Sequence, residues 1–263
     1  MTQLMKTSLS AGHYDVRLAK SIKEIKAAQN LRYEVLFKES GGHVTRKMLT
    51  TEREEDEWDE VAYHVVVLDR RANDEIVGTV RLVSGQALKQ GQAFYTEKAF
   101  DLSGLRKHYQ STMELSRACV SPSSRGGVIL MLIWKFTMQF IQKNEYDVLF
   151  GCASFAGIDY HQHTDILSYL YQNHLAEAAL MPVPSKDVES VAIEGFQQAL
   201  DSDKKPGQVP TLLRGYLKIG ARVSDHAIID RVFNTTFVAI YVDAERMFNS
   251  DHVLVNKSVT NKV

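Results

Sequence analysis

Cysteine is scarce. The 263 residues hold two, Cys119 and Cys152, too few for the disulfide framework of a small secreted domain. Both stand in apolar, strand-like surroundings where the ordinary role is a small core side chain. Excess charge is lacking as well: 31 Lys and Arg against 32 Asp and Glu leave a net charge of −1, so nothing in the overall balance argues for nucleic acid. No apolar run approaches the roughly 20 residues that span a bilayer, and Met1 to Ala11 has no apolar centre of a signal peptide. A cytoplasmic protein is expected, and a peripheral contact at the inner face of the cytoplasmic membrane is compatible with this composition. Repeats, low-complexity tracts and recognisable linkers are also missing. With 44% apolar residues the chain is expected to form one domain over residues 1–263, its core spanning about 14–243 between loose ends.

What is present is organised around Thr112 to Phe140. The run Thr112-Met-Glu-Leu-Ser-Arg-Ala-Cys-Val120 breaks at Ser121-Pro-Ser-Ser-Arg-Gly-Gly127 and resumes as Val128-Ile-Leu-Met-Leu-Ile-Trp134, which predicts a strand, a glycine-containing turn and a helix. Strand alternation sends Glu114 and Ser116 to one face and Leu115 and Arg117 to the other. Two charges in such a strand are either an edge or internal ion pair, or they line a cleft. In a cleft, Glu114 would serve as base or amine anchor and Arg117 would pair with a carboxylate. The turn favours the cleft, because open amides at a glycine-rich helix start receive an anion or a polarised carbonyl.

Upstream, Tyr14–Leu18 alternates like a strand, and Ser21 with Glu24 signals the start of a helix whose apolar positions run from Ile22 to Val35. Periodicity is lost from Gly41 to Glu60. The last ten residues of that stretch carry seven acids, one base and Trp58, either a solvated loop or a mobile acidic lid for a cationic substrate. A hairpin follows, Tyr63–Leu68 and Ile76–Val83, in which Gly78 marks a bulge or a close approach. Downstream, Val128–Lys143 reads as a helix and Tyr146–Ala153 as a buried strand parallel to the Glu114 strand. Helices are expected at Asp159–Ala178, Val188–Leu200 and Thr211–Ile219, a polar loop at Asp201–Gln208, and one or two strands at Ala227–Val242, with a loose tail from Met247. His161 and His163 do not share a helical face and have no acid or cysteine cluster beside them, so no metal site is expected.

Together, Leu31-Arg32-Tyr33, Phe37, Asp56-x-x-Asp59, Gly78-x-x-Arg81 and Glu114-Leu-Ser-Arg117 resemble the acyl-homoserine-lactone synthases and their relatives in the Gcn5-related N-acyltransferase (GNAT) superfamily. More closely, Glu114–Val120, Phe150-Gly-Cys-Ala-Ser-Phe155, Leu213-x-Gly-Tyr-Leu-x-x-Gly-Ala221 and Phe233-Asn-Thr-Thr236 resemble the ornithine-acyl carrier protein N-acyltransferases of ornithine-lipid synthesis. The likeness covers roughly residues 14 to 243. It implies an α/β (α+β) fold, a mixed, mostly antiparallel central sheet flanked by helices. It also implies transfer of a 3-hydroxy fatty acyl group from acyl carrier protein to the α-amino group of L-ornithine, giving lyso-ornithine lipid, with no cofactor beyond the phosphopantetheine thioester of the co-substrate.

By the same resemblance the catalytic pair is Glu114 and Arg117, and the acceptor is held by Arg32, Phe37, Asp56, Trp58, Asp59, Arg81, Ser154 and Phe155. The donor thioester and its phosphopantetheine meet Cys119, Val120, Arg125, Gly126 and Gly127. Asp56 and Asp59 suit a terminal ammonium, Arg117 or Arg81 a carboxylate, and Arg117 alternatively holds Glu114 in place. Arg125, Lys135 and Lys143 are candidates for the acidic surface of the carrier protein, and Met131, Leu132, Trp134, Phe136 and Phe150 for an acyl tunnel. Two departures stand out: Arg125-Gly126-Gly127 lacks the spacing of a CoA pyrophosphate loop, and Phe237 stands where the ornithine enzymes carry an acid. An amine attacks a thioester directly, so a covalent cysteine is the lesser route. Remaining alternatives are an N-acyl amino acid synthase for glutamine, glycine or tyrosine, a homoserine-lactone synthase, and a silent relative that only binds lipid or carrier protein.

Overall fold

A computed structural model describes residues 8–199 and 209–249. The first half contains β1 (Leu9–Ala11), β2 (Tyr14–Leu18), α1 (Ile22–Tyr33), α2 (Arg46–Thr51), β3 (Tyr63–Asp69), β4 (Glu75–Ser84), β5 (Phe100–Asp101) and α3 (Ser103–His108). Then come β6 (Thr112–Val120), α4 (Val128–Lys143), β7 (Val148–Ala156), α5 (Thr164–His174), β8 (Val183–Pro184) and β9 (Ser190–Ala192). The chain closes with α6 (Thr211–Lys218), β10 (Arg222–Asp230), β11 (Thr235–Asp243) and α7 (Ala244–Asn249).

Nine strands form one sheet in the order β1-β2-β3-β4-β6-β7-β11-β10-β9. Every pairing is antiparallel except β6 with β7, which α4 connects. Period-two alternation assigns the two faces: in β3, Val65 and Val67 join the larger core under α4, while Val66 and Leu68 meet Ala28 of α1. The α4 face also holds Leu167 and Leu170 of α5, Tyr216 of α6 and Met247 of α7. On the opposite face Trp58, Phe94, Phe100, Leu105 and Phe150 build a second core. Gly78 is the close approach its position implied, since a Cβ there would lie 2.6 Å from Ile129 Cγ2 of α4.

Four expectations need correction. The helix expected over Val188–Leu200 is not formed in its described part, 188–199: β9 adds an edge strand to β10, followed by a 3-10 turn at Glu194–Ala199, and Leu200 lies outside the described residues. Sheet pairing overrides the helical spacing there. The helix expected over Asp159–Ala178 is shorter, a 3-10 turn at Tyr160–His163 leading into α5. The stretch from Gly41 is not structureless, because Thr45 caps α2 and Asp56 caps a 3-10 turn at Glu57–Glu60. Met247 is buried in α7 rather than starting a tail. The polar loop expected at Asp201–Gln208 lies outside the described residues.

The parallel pair is where a cleft opens. Its ladder runs from Thr112 opposite Val148 to Leu115 opposite Gly151 and stops. Beyond that point β6 continues to pair with β4, and β7 with β11, so the two strands part. Gly151 sits at the fork, where a Cβ would lie 2.2 Å from the Leu115 carbonyl oxygen; only glycine lets the strands come this close before they diverge.

Candidate active site

Two cavities meet at this fork. The first, about 240 Å³, lies between the parting strands and is bordered by Leu115–Ala118 of β6, Cys152–Ser154 of β7, and Leu212, Leu213 and Tyr216 of α6. The second, about 550 Å³, extends from it across Phe37, Asp56, Trp58 and Lys98 towards Ile228–Phe233. Tyr95, Thr96, Arg117, Cys152, Asp230, Phe233 and Phe237 line both.

Strand alternation fails at Arg117. Its φ of +57° makes it the extra residue of a bulge, since Arg81 is opposite Ser116 and Thr79 opposite Cys119. The bulge brings Arg117 to the face that Glu114 and Ser116 occupy. Its guanidinium carbon lies 4.2 Å from the Tyr95 ring centroid and 4.7 Å from that of Phe233.

Arg117 also closes a ring of six charges. Arg32 pairs with Glu54 and Asp59, Asp59 with Arg81, Arg81 with Asp56, Asp56 with Arg117, and Arg117 with Glu54. The arginines come from α1, β4 and β6; the acids all come from the acidic run. Three positive and three negative charges cancel, and both Arg32 and Arg81 are 1% exposed, so the compensation that burial demands is internal. Arg32 also donates to the Glu54 carbonyl at 2.6 Å, Gln29 donates to Asp59 at 2.9 Å, and Arg81 donates to the Ser116 hydroxyl at 3.1 Å. Burial by itself would raise the Asp59 carboxyl, but hydrogen bonds and charge from Arg32, with those of Arg81, outweigh it and hold Asp59 well below the usual carboxylate range.

The ring corrects several sequence expectations. Asp56 and Asp59 are not free for an ammonium, and Arg32 and Arg81 are not free for a carboxylate, because each is taken by an opposite charge within the protein. The acidic run is tied down at three of its seven carboxylates, Glu54, Asp56 and Asp59, which argues against a freely mobile lid. Glu54, the third acid, was not distinguishable within a run of seven. Asp56 and Arg117 do still border the larger cavity.

Glu114 is wholly buried and lines neither cavity. Its carboxylate accepts the backbone N–H of Thr96 at 2.6 Å and of Tyr95 at 3.2 Å. Burial pushes its pKa up, partly offset by the bonds to Thr96. The expectation of a base in direct reach of the acceptor is therefore corrected, and so is the idea that Arg117 holds Glu114, since the guanidinium nitrogens bind Glu54 and Asp56. Sequence reading missed Tyr95 and Thr96, whose connecting segment carries no motif.

Trp58 is 3% exposed, donates its indole N–H to the Ala93 carbonyl at 2.9 Å and meets Tyr95 edge-on at 5.4 Å. It walls the larger cavity. Phe37 lies in the same wall, 4.7 Å from Phe233. Ser154 borders the fork cavity, whereas Phe155 points into the α4 core and packs on His163. Phe237 lines both cavities.

On the donor side, Cys119 and Val120 are buried and border neither cavity. Arg125 is exposed and makes two bonds of 2.6 Å with Glu39. Gly126 and Gly127 are open at the start of α4, Gly127 with a φ of +89°. Leu132, Trp134, Phe136 and Phe150 are core residues and Met131 is exposed, so the expected tunnel is corrected: α6 supplies that wall. Trp134 supports it from behind, 4.2 Å from Tyr216 and fitted against Gly215, where a Cβ would lie 2.8 Å from the indole nitrogen. Both cysteines are free, and burial pushes each thiol up to about 12, which leaves neither as a nucleophile at neutral pH. Among the described residues no group of His, Cys, Asp and Glu could hold a metal ion, and no helix is long and apolar enough to cross a membrane.

The family model for the acetyltransferase (GNAT) domain matches residues 31–135, from α1 into α4, in keeping with a mostly antiparallel mixed sheet flanked by helices. The L-ornithine N(alpha)-acyltransferase of Agrobacterium fabrum is 34% identical over 239 residues, covering 87% of this chain and 80% of that protein. Its namesake from Rhodobacter capsulatus is 32% identical over 238 residues, covering 89% and 91%. Among solved structures, an N-acyl amino acid synthase from uncultured soil microbes is 10% identical with a TM-score of 0.47, covering 95% of this chain and 99% of that one.

Proposed function

The chain belongs to the family of L-ornithine N(alpha)-acyltransferases, and we propose that it moves a 3-hydroxy fatty acyl group from the phosphopantetheine thioester of acyl carrier protein to the α-amino group of L-ornithine. The observation that carries this reading is the pair of cavities with one shared wall: an apolar one between parting strands, suited to a thioester and the head of its acyl chain, and a larger one edged with carboxylates, suited to a cationic amino acid. An amine in the larger cavity and a thioester in the smaller one meet where the two spaces join, and they need no covalent intermediate. The amine nitrogen attacks the carbonyl carbon, the C–S bond breaks, and one proton passes from nitrogen to the departing sulfur. Holding the two reactants in register is itself a large part of the rate.

In this reading Arg117, fixed by Glu54 and Asp56 and covered by Tyr95 and Phe233, presents a rigid cationic edge at the junction. It faces the developing oxyanion or the acceptor carboxylate. Glu114 acts as a positioning residue, fastening the Tyr95–Thr96 turn that forms the shared wall. The open amides of Gly126 to Val128 at the start of α4 suit the single phosphate of phosphopantetheine; Arg125 would exchange Glu39 for it or for the acidic face of the carrier protein. No cofactor takes part beyond that thioester. Peripheral contact with the cytoplasmic membrane follows from the amphiphilic product rather than from any surface feature.

The test is to incubate the purified protein with 3-hydroxyacyl carrier protein, or separately with the matching acyl-CoA, and with ornithine, lysine, glutamine, glycine and tyrosine individually, and to identify products by mass spectrometry. N-acylornithine from the carrier-protein donor is expected. Equal rates from acyl-CoA would remove the carrier-protein claim, and preference for another amino acid would remove ornithine.

A further inference from the structure

Asp230 ends β10 at the point where both cavities meet. Its Oδ1 accepts the backbone N–H groups of Val232 at 2.8 Å and Phe233 at 3.0 Å, which turns the chain into β11. Among the described residues no arginine, lysine or histidine pairs with it: the neighbouring Arg231 reaches Glu189 instead, and Arg117 is committed to Glu54 and Asp56. A half-buried carboxylate that borders both cavities and has no cation partner is open to a ligand's amino group.

The residues common to both cavities narrow the choice of proton acceptor. Phe233 and Phe237 carry none. Burial pushes the Tyr95 hydroxyl and the Cys152 thiol each up to about 12, so both remain protonated at neutral pH, and Thr96 is a hydroxyl. Arg117 is a cation. Among the described residues Asp230 is the one carboxylate bordering both spaces, at the place where an amine in the larger cavity meets a carbonyl carbon in the smaller.

We infer that Asp230 holds the attacking amine and takes its proton as the amide bond forms. The inference rests on the N-acyltransferase reading and assigns the base that Glu114 is too deeply buried to be. The amine enters the larger cavity hydrogen-bonded to the Asp230 carboxylate. As nitrogen bonds to the thioester carbon it becomes more acidic, and one N–H proton moves to the carboxylate. Collapse of the tetrahedral intermediate breaks the C–S bond, and the carboxylic acid returns the proton to the thiolate, the stronger base. Amide and free thiol leave, and Asp230 ends as it began.

Asp230→Asn is the direct test, because an amide oxygen still accepts the Val232 and Phe233 N–H groups. The expected result is a kcat lower by about a hundredfold or more, the range in which a general base acts, with the melting temperature within a few degrees of wild type. In Asp230→Ala, added formate is expected to restore activity at least tenfold. Asparagine variant activity within threefold of wild type would overturn the inference, as would a melting temperature lowered by ten degrees or more, which would make Asp230 a turn residue only. The two readings fail separately: wild-type protein that acylates another amino acid removes ornithine, and the same variants are then compared on that acceptor.

Discussion

The Arg117 guanidinium carbon lies 4.2 Å from the centre of the Tyr95 ring, and the backbone N–H of that same tyrosine donates to Glu114. Two residues of one strand thus grip a single turn, one by its side chain and one by its backbone, and the turn lines both cavities. Glu114→Gln keeps an oxygen that accepts the Thr96 N–H and loses the second acceptor, so its kcat is expected to fall by about tenfold or less. Glu114→Ala removes both, leaves two buried N–H groups unpaired at about 1–3 kcal/mol each, and should lose both activity and stability. A base in that position would show the reverse: a loss of a hundredfold or more already in the glutamine variant, without loss of stability. Steady-state kinetics and thermal melts on the two proteins distinguish the roles.

The charge ring is structural, so breaking it should register in stability before affinity. Arg81→Met leaves Asp56 and Asp59 each one partner short in a buried setting and is expected to cost about 3–5 kcal/mol, read as a lower urea midpoint. The ornithine KM of whatever protein remains folded should change by less than threefold. A thirtyfold rise in KM with an unchanged midpoint would return Arg81 to the acceptor site.

Acid should weaken the fold through Asp59. Its carboxyl is held below its unfolded value by Arg32 and Arg81, against the opposing effect of burial. Its contribution is therefore complete above about pH 4, the unfolded carboxylate range, and is lost as pH falls below it. Glu114, raised by burial, acts in the opposite sense. Comparing urea midpoints of wild type and Asp59→Asn at pH 7, 5 and 3 isolates the first effect: the gap between the proteins should hold from pH 7 to 5 and narrow at pH 3. A gap that widens in acid would contradict the ring.

Gly151→Ala places a methyl group 2.2 Å from the Leu115 carbonyl oxygen, where the backbone cannot yield without moving the fork. Severe loss of soluble protein or of activity is expected. Gly126→Ala, with open space around its Cβ, should fold as wild type does; circular dichroism and expression yield provide the comparison.

Both thiols stay protonated at neutral pH, pushed up to about 12 by desolvation, so Cys119→Ala and Cys152→Ala are each expected to keep activity within about fivefold, and no acyl-enzyme should appear by intact-mass measurement. An acylated protein mass that disappears only in one cysteine variant would establish a covalent route.

Much of the architecture was legible because it rests on local rules. The hairpin of β3 and β4, the bounds of α4 and the parallel relation of β6 and β7 all follow from periodicity, turn residues and the crossover. The resemblance gathered residues that do come together: Arg32, Asp56, Asp59, Arg81 and Arg117 share one ring, and Phe37 and Trp58 stand in one wall. Their partnership was misread because sequence cannot tell an acid that awaits a cation from an acid that already has one. Arg117 escaped the alternation rule because a left-handed residue in a strand leaves no composition signal. Glu54 and Asp230 fall just outside the blocks that carry the resemblance and Tyr95 lies in a connection without a motif, and only the fold brings the three to the fork. The Val188–Leu200 error has the same origin, since an edge strand of three residues is specified by its neighbour β10 rather than by its own pattern.

The central claim concerns one bond, and fragmentation mass spectrometry of the product formed from 3-hydroxyacyl carrier protein and ornithine labelled with nitrogen-15 at the α-position tests it most directly. The account predicts an amide nitrogen that carries the label and a free δ-amine. An unlabelled amide nitrogen, or no acylated ornithine from wild-type protein under conditions where another amino acid is acylated, would contradict it.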